Sequence, residues 1–222
     1  MQFVCMLWSG RGFSKPVARY SEEDVVYLAS ALERFGHKLL CVTDTRRELP
    51  DSVGQLCLSK NIFSLPDYLP KLWLWSKAFR SFMPKRFAYI DLDVILLDDP
   101  ASVFNHKHPV MFWDFAKQEP YNTSLFVCDK DFGLEIWDRR AELPKAKLTW
   151  PRWTGDQSFV GHILGPGQAT FGPDQGIVNY SSRWHPCSGP PKGIKAVFFC
   201  GPRKPADLKG QVPWVTRAIQ VR

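Results

Sequence analysis

The sequence predicts an α/β protein with a central, mostly parallel sheet flanked by helices. Three observations carry that prediction. Apolar strand runs alternate with helical stretches through the first half of the chain. The opening order is strand, loop, helix, strand, which calls for a parallel pair joined by a right-handed crossover. The second half turns to short strands separated by Pro- and Gly-rich loops.

Residues 2–8 read as the first strand. A helix is expected over "SEEDVVYLASALERFG". Ser21 suits its N-cap, acidic residues fill its first turn and Gly36 stops it. Val25, Leu28, Ala29, Leu32 and Phe35 give that helix one apolar face. "HKLLCVTD" is the second strand and ends on Asp44; a third is expected around Gln55 to Ser59. "LPKLWLWSKAFRSFM" reads as one helix, carrying Leu72, Trp75, Phe79 and Phe82. The strand "RFAYI" follows, and "PVMFWDF", "NTSLFVCD", "GIVNY" and "KAVFFC" are later strands. "FGLEIWDRRAEL" and "DQSFVGHIL" are later helices. No linker or repeat interrupts the 222 residues, so one domain over 1–222 is expected. Within it, residues 1–100 or so form a nucleotide-binding half, and the rest an acceptor and catalytic half.

Net charge is +7 and the isoelectric point about 9.1, which points to an anionic partner. A nucleotide, a nucleic acid, an acidic glycan and a membrane surface all qualify. No apolar run approaches membrane-spanning length. "MQFVCMLW" lacks a basic leader and a cleavage site, so it reads as a strand and not as a signal peptide. The six cysteines are scattered without a C-x-x-C pair. Buried free thiols in a reducing cytoplasm are expected, and not a zinc site.

The stretch "KRFAYIDLDVILLDDP" stands out. Asp91 and Asp93 interrupt an otherwise apolar run, with no Lys or Arg beside them inside it. Buried carboxylates are costly unless paired, hydrogen-bonded or bound to metal. Residues two apart on a strand share a face. The two can therefore converge on a hard cation, Mg²⁺ or Mn²⁺, with positions left for water and phosphate oxygens. Asp98 and Asp99, before Pro100, read as turn or capping residues instead. In open α/β sheets ligands bind at the carboxyl ends of strands. Trp8-Ser9-Gly10, Asp44 and Asp91 all fall at such ends.

Five segments together resemble a glycosyltransferase of the GT-A fold, most nearly the retaining, glycogenin-like group and its short bacterial and phage relatives. "DLD" resembles the D-x-D motif that holds a cation against a nucleotide-sugar diphosphate. "WSKAFR" is similar to a helix whose basic residue, here Lys77, reaches the donor. "YNTSLFV" would supply Asn122 to the donor sugar. "GDQSFV" would place Asp156 and Gln157 beside the anomeric carbon. "FFCGPRKP" resembles a late H-x-x-G-x-x-K-P motif, with Gly201, Lys204 and Pro205 matching. Phe198 stands where that motif has a metal-binding His. Water, another residue such as His185, or weaker metal binding would have to make up for it.

The resemblance implies transfer of a sugar from a nucleotide-sugar, a UDP-sugar, to an acceptor hydroxyl with retention. A divalent cation on Asp91 and Asp93 would stabilise the departing diphosphate. Lys204 and Lys77 would add fixed positive charge. Gln157 would stabilise an oxocarbenium-like species near the anomeric carbon. Arg11 and Gly10, in the basic loop after strand one, suit phosphate as well as they suit a solvated surface. Trp8 at the strand end joins this donor set, and Asp44 either bonds the nucleotide base or caps a turn. Lys145, Lys147, Trp150, Arg152 and Trp153 form a basic, aromatic stretch just before "GDQ". It is either a solvated helix end with core tryptophans or the binding surface of an anionic acceptor. A bacterial glycan or a modified DNA base in a phage-infected cell would fit, the base being extruded from its duplex. The competing classes are a metal-dependent nuclease or nucleotidyltransferase, and a binding module without catalysis.

Overall fold

The computed structural model describes residues 1–9, 20–66, 68–101, 110–112, 119–149, 155–180, 189–190, 192–199 and 203–220. Strand β1 (Gln2–Leu7) leads through helix α1 (Glu22–Glu33) to β2 (Lys38–Thr43). β1 and β2 pair in parallel, from Gln2 opposite Lys38 to Leu7 opposite Thr43. β3 (Val53–Cys57) adds in parallel beyond β2, beginning two residues before its expected start. On the other side of β1 lies β4 (Arg86–Ile90), also parallel. With β6 (Val110–Phe112), β7 (Asn122–Asp129) and β8 (Thr170–Phe171), these strands make a seven-stranded sheet ordered β3-β2-β1-β4-β7-β6-β8. β7 runs antiparallel to both of its neighbours, β4 and β6.

A second sheet takes over after β4. β5 (Val94–Leu96), β10 (Ala196–Phe198) and β9 (Ile177–Asn179) form three strands in the order β5-β10-β9. Only the segment from Asp91 to Asp93 separates β4 from β5, so the acidic pair marks the corner between the two sheets.

Side-chain alternation along β1 feeds two cores. Phe3, Cys5 and Leu7 pack with α1, the small sheet and the C-terminal helix Pro213–Ile219. Val4 and Met6 pack with the tryptophan-rich segment before β4 and with helices Leu134–Asp138 and Asp156–Leu164. α1 buries Val25, Leu28, Ala29 and Leu32 as its pattern requires, and Tyr27 and Ala31 besides.

The helix expected over "LPKLWLWSKAFRSFM" is two elements. Leu69–Trp75 is a 3₁₀ helix buried at every residue. Ser76 then takes an extended backbone, φ −78° and ψ 149°, and its hydroxyl accepts from the Phe79 amide at 3.1 Å. That cap restarts the chain as the helix Lys77–Phe82. "FGLEIWDRRAEL" is likewise shorter than expected: helix Leu134–Asp138, a 3₁₀ turn Arg140–Glu142, then the helix Leu143–Thr149. Among the described residues no helix is long and apolar enough to cross a membrane.

Candidate active site

The carboxyl ends of the parallel strands β1, β2 and β4 share one edge. At the first two, Asp44 ties the strands together. Its Oδ2 accepts from the Ser9 amide at 3.0 Å, and its Oδ1 from Arg47 at 2.6 Å. Arg47 also reaches the Ser9 hydroxyl at 2.7 Å and Glu22 at 3.2 Å. Burial opposes the charge on Asp44, but the Ser9 amide and Arg47 outweigh it and hold the carboxyl below its usual range. Trp8, half-buried, packs its ring 5.9 Å from that of Phe63.

The acidic corner lies beside this edge, and its counter-charges come from far along the chain. Lys71, 3 % exposed, places its ammonium 3.1 Å from Asp91 and 3.3 Å from Asp156. It also donates to the Thr123 carbonyl at 3.4 Å. The Tyr89 hydroxyl donates to Asp91 at 2.5 Å, and that of Thr123 to Asp156 at 2.6 Å. Burial works against the charge on Lys71, yet the carboxylates of Asp156 and Asp91 keep its pKa above the ordinary lysine value. Burial also pushes the Asp156 carboxyl up, against the pull of Lys71 and Thr123. One ammonium shared between two carboxylates does not fully offset the desolvation of Asp156.

Asp93 has its own lysine. Lys204 donates to its Oδ2 at 2.5 Å and to the Phe199 carbonyl at 3.1 Å. The Asp93 carbonyl in turn accepts from the Phe199 amide at 2.9 Å. Burial and the charge of Asp91 raise the Asp93 carboxyl, while Lys204 and the Tyr20 hydroxyl lower it. The apolar run around the pair contains no cation, but Lys71 and Lys204 reach it from 20 and 111 residues away.

Asp156 is presented by backbone geometry. Gly155 sits at φ 85° and ψ −125°, a conformation that favours glycine, and Asp156 begins the following helix. Gln157 comes next and is half-buried. Asn122 opens β7 immediately before Thr123; its Oδ1 accepts from the Ser124 amide at 2.8 Å. Lys77, by contrast, is exposed at the start of its helix. The Ser76 break puts it at the surface, and the lysine against Asp91 is Lys71, which sequence reasoning passed over. Its signal was a single lysine inside the apolar, tryptophan-rich "LPKLWLW". Tyr89, Thr123 and Tyr20 carried no comparable signal.

Lys145 and Lys147 are exposed on the helix Leu143–Thr149, with Ala146 buried between them. The nearby Arg139 pairs with Glu142 at 2.7 Å, and Arg140 stacks 4.4 Å over Trp137. Gly10, Arg11, Trp150, Arg152, Trp153, His185 and Gly201 lie outside the described residues. Phe198 is fully buried, its ring 5.0 Å from that of Phe112.

Three carboxylates, Asp91, Asp93 and Asp156, thus face two ammoniums, those of Lys71 and Lys204. The Asp93 Oδ1 is buried and has no hydrogen-bond partner among the described residues. Among the described residues, this surplus of carboxylates and the orphaned carboxylate oxygen fit a cation. Among the described residues no group of three His, Cys, Asp or Glu side chains is placed to hold a metal. Among the described residues, Asp91 and Asp93 are the carboxylates that could hold one, with positions left for water and phosphate.

The fold is that of the GT-A glycosyltransferases. No known family model matches the sequence, and no curated protein resembles it closely enough to count as a relative. Similarity is found among solved structures. The galactosyltransferase LgtC, solved with donor and acceptor sugar analogues, superposes with a TM-score of 0.69 at 10% identity. That match covers 98% of this chain and 93% of LgtC. The glycosyltransferase GlyE of Streptococcus pneumoniae TIGR4 gives 0.64 at 11% identity, over 99% of this chain and 61% of its own. The bifunctional glycosyltransferase WbbM gives 0.61 at 12% identity, with 97% and 50% covered.

Proposed function

We propose that this chain is a glycosyltransferase that moves a sugar from a nucleotide-sugar, a UDP-sugar, to an acceptor hydroxyl with retention. The observation that carries the reading is the acidic corner at the carboxyl edge of the sheet, with one buried carboxylate oxygen that has no hydrogen-bond partner among the described residues. Asp91 and Asp93 would hold a divalent cation, Mn²⁺ or Mg²⁺, which when bound supplies Lewis-acid stabilisation of the departing diphosphate. The likeness to LgtC and GlyE supports sugar transfer as the class of reaction.

The remaining chemistry falls to the chain's own side chains. Lys71 pairs with both Asp91 and Asp156 and would hold them in one orientation when the donor binds. Asp156, held by Thr123, would accept from sugar hydroxyls. Asn122 would contribute to the same sugar, and Gln157 would face the anomeric carbon. Lys204 would bring positive charge to the leaving group, where fixed charge aimed at the developing negative charge acts strongly. Trp8, Arg11 and the Ser9–Asp44 junction would border the nucleotide, in the first half of the domain. The acceptor would bind in the second half along Lys145, Lys147 and the segment that follows. That surface suits an anionic acceptor, an acidic glycan or nucleic acid. The described cysteines, Cys5, Cys41, Cys57 and Cys128, are free thiols, which supports a reducing compartment.

The deciding experiment incubates the purified chain with labelled nucleotide-sugars, with and without Mn²⁺. Slow, Mn²⁺-dependent release of free sugar is expected from a UDP-sugar. Cleavage of DNA or RNA under the same conditions, with no sugar released, would transfer the site to phosphoryl chemistry. A higher melting temperature with UDP and Mn²⁺ together than with either alone is the accompanying binding signature.

A further inference from the structure

Asp93 is 4 % exposed, and its two oxygens differ. Oδ2 takes the Lys204 ammonium at 2.5 Å, while Oδ1 has no partner among the described residues. Lys204 is itself well positioned. Its backbone amide donates to Asp207 at 2.7 Å, which starts the helix Pro205–Leu208, and its ammonium lies 5.7 Å from the centre of the Tyr20 ring. A divalent cation bound by Asp93 would stand within a few ångströms of this ammonium. Two positive centres that close repel strongly where water is scarce and salt screens little. Both cannot hold the carboxylate at full strength.

We infer that Lys204 is a displaceable counter-ion. It neutralises Asp93 in the cation-free chain, yields the carboxylate when a divalent cation binds, and turns its charge to the donor diphosphate. The inference rests on the nucleotide-sugar reading above. Lys204 therefore opposes cation binding when no nucleotide is present and favours it when one is. Because coupling is reciprocal, cation and nucleotide promote each other through this side chain. Lys71 does not share the role. Its ammonium is held on three sides, by Asp91, Asp156 and the Thr123 carbonyl.

The test is a titration of Mn²⁺ into the full chain, following the spectrum of the free ion by electron paramagnetic resonance, with and without UDP. Wild type is compared with Lys204→Met and Lys204→Gln, each checked for folding by circular dichroism, and with Lys204→Arg. The neutral variants are expected to bind Mn²⁺ alone about fivefold or more tightly than wild type. UDP should tighten Mn²⁺ binding more in wild type than in either neutral variant, and Lys204→Arg should keep the wild-type order. A folded neutral variant that binds Mn²⁺ alone no better than wild type overturns the inference. So does an equal effect of UDP in all forms. If no form binds Mn²⁺ under any condition, the cation reading fails and the counter-ion role falls with it.

Discussion

At the scale of the residue, Lys71 shows how a buried charge is made tolerable. Its ammonium lies between two carboxylates, and each of those has a hydroxyl donor of its own, from Tyr89 or Thr123. Removing the ammonium leaves Asp91 and Asp156 facing each other with little solvent. Breaking a buried pair in this way typically costs about 3–5 kcal/mol. Lys71→Met should lower the denaturant midpoint by a corresponding amount. A change too small to measure would mean that the ammonium is not needed to hold the two carboxylates. The sequence made Asp91 and Asp93 conspicuous because polar residues were out of place there. It could not reveal Lys71 or Lys204 as their partners, because those pairings span 20 and 111 residues and exist only once the chain has folded.

At the scale of the element, junctions matter more than the strands and helices themselves. Asp44 locks the end of β2 to the end of β1 through the Ser9 amide and through Arg47. Because its carboxyl is held below the usual range, the linkage has a definite sign. The stabilisation is present above the ordinary carboxylate pKa and is lost as pH falls through the lowered value. Asp44→Asn should therefore melt earlier than wild type at neutral pH, and the gap should close in strong acid. A gap that persists unchanged in acid would assign the effect to packing. The helix Leu143–Thr149 makes a different kind of statement. Its exposed Lys145 and Lys147 should contribute to binding of an anionic acceptor, whose affinity falls as salt rises. Lys145→Ala with Lys147→Ala should flatten that salt dependence in an acceptor-binding titration while donor hydrolysis is unchanged. A slope identical to wild type would remove these lysines from the acceptor surface. Strand positions were largely legible from apolar runs: β7 coincides with "NTSLFVCD". The single helix expected over "LPKLWLWSKAFRSFM" was not, because its apolar spacing does not register the cap that Ser76 makes.

Across the whole molecule, the large sheet separates two cores, and the small sheet belongs to only one of them. Phe198 lies in that core, in contact with Phe112, at the position where the resembling motif carries a histidine. Phe198→His would place an imidazole among apolar side chains. Burying a polar group without a partner costs about 1–3 kcal/mol. Reduced stability with no gain in Mn²⁺ affinity is the expected result, read by thermal melting and metal titration. Tighter metal binding would show that this strand can turn the residue toward the acidic corner. The general architecture was legible because alternating strands and helices allow few layouts. The division into two sheets was not, since β5 continues the same apolar run as β4.

That corner bears on how such a chain can be recombined. β4 pairs with β7 and β5 pairs with β10, so strands from before residue 100 are hydrogen-bonded to strands from well after it. A hybrid spliced near that point, with its second half taken from a homologue, would inherit mismatched strand pairs in both sheets. It would also separate Lys204 from the carboxylate it pairs with. Only crossovers that carry β4, β5, β7 and β10 as one block would keep both the pairing and the charge balance, and shuffled libraries of this chain should yield soluble members almost entirely from that block.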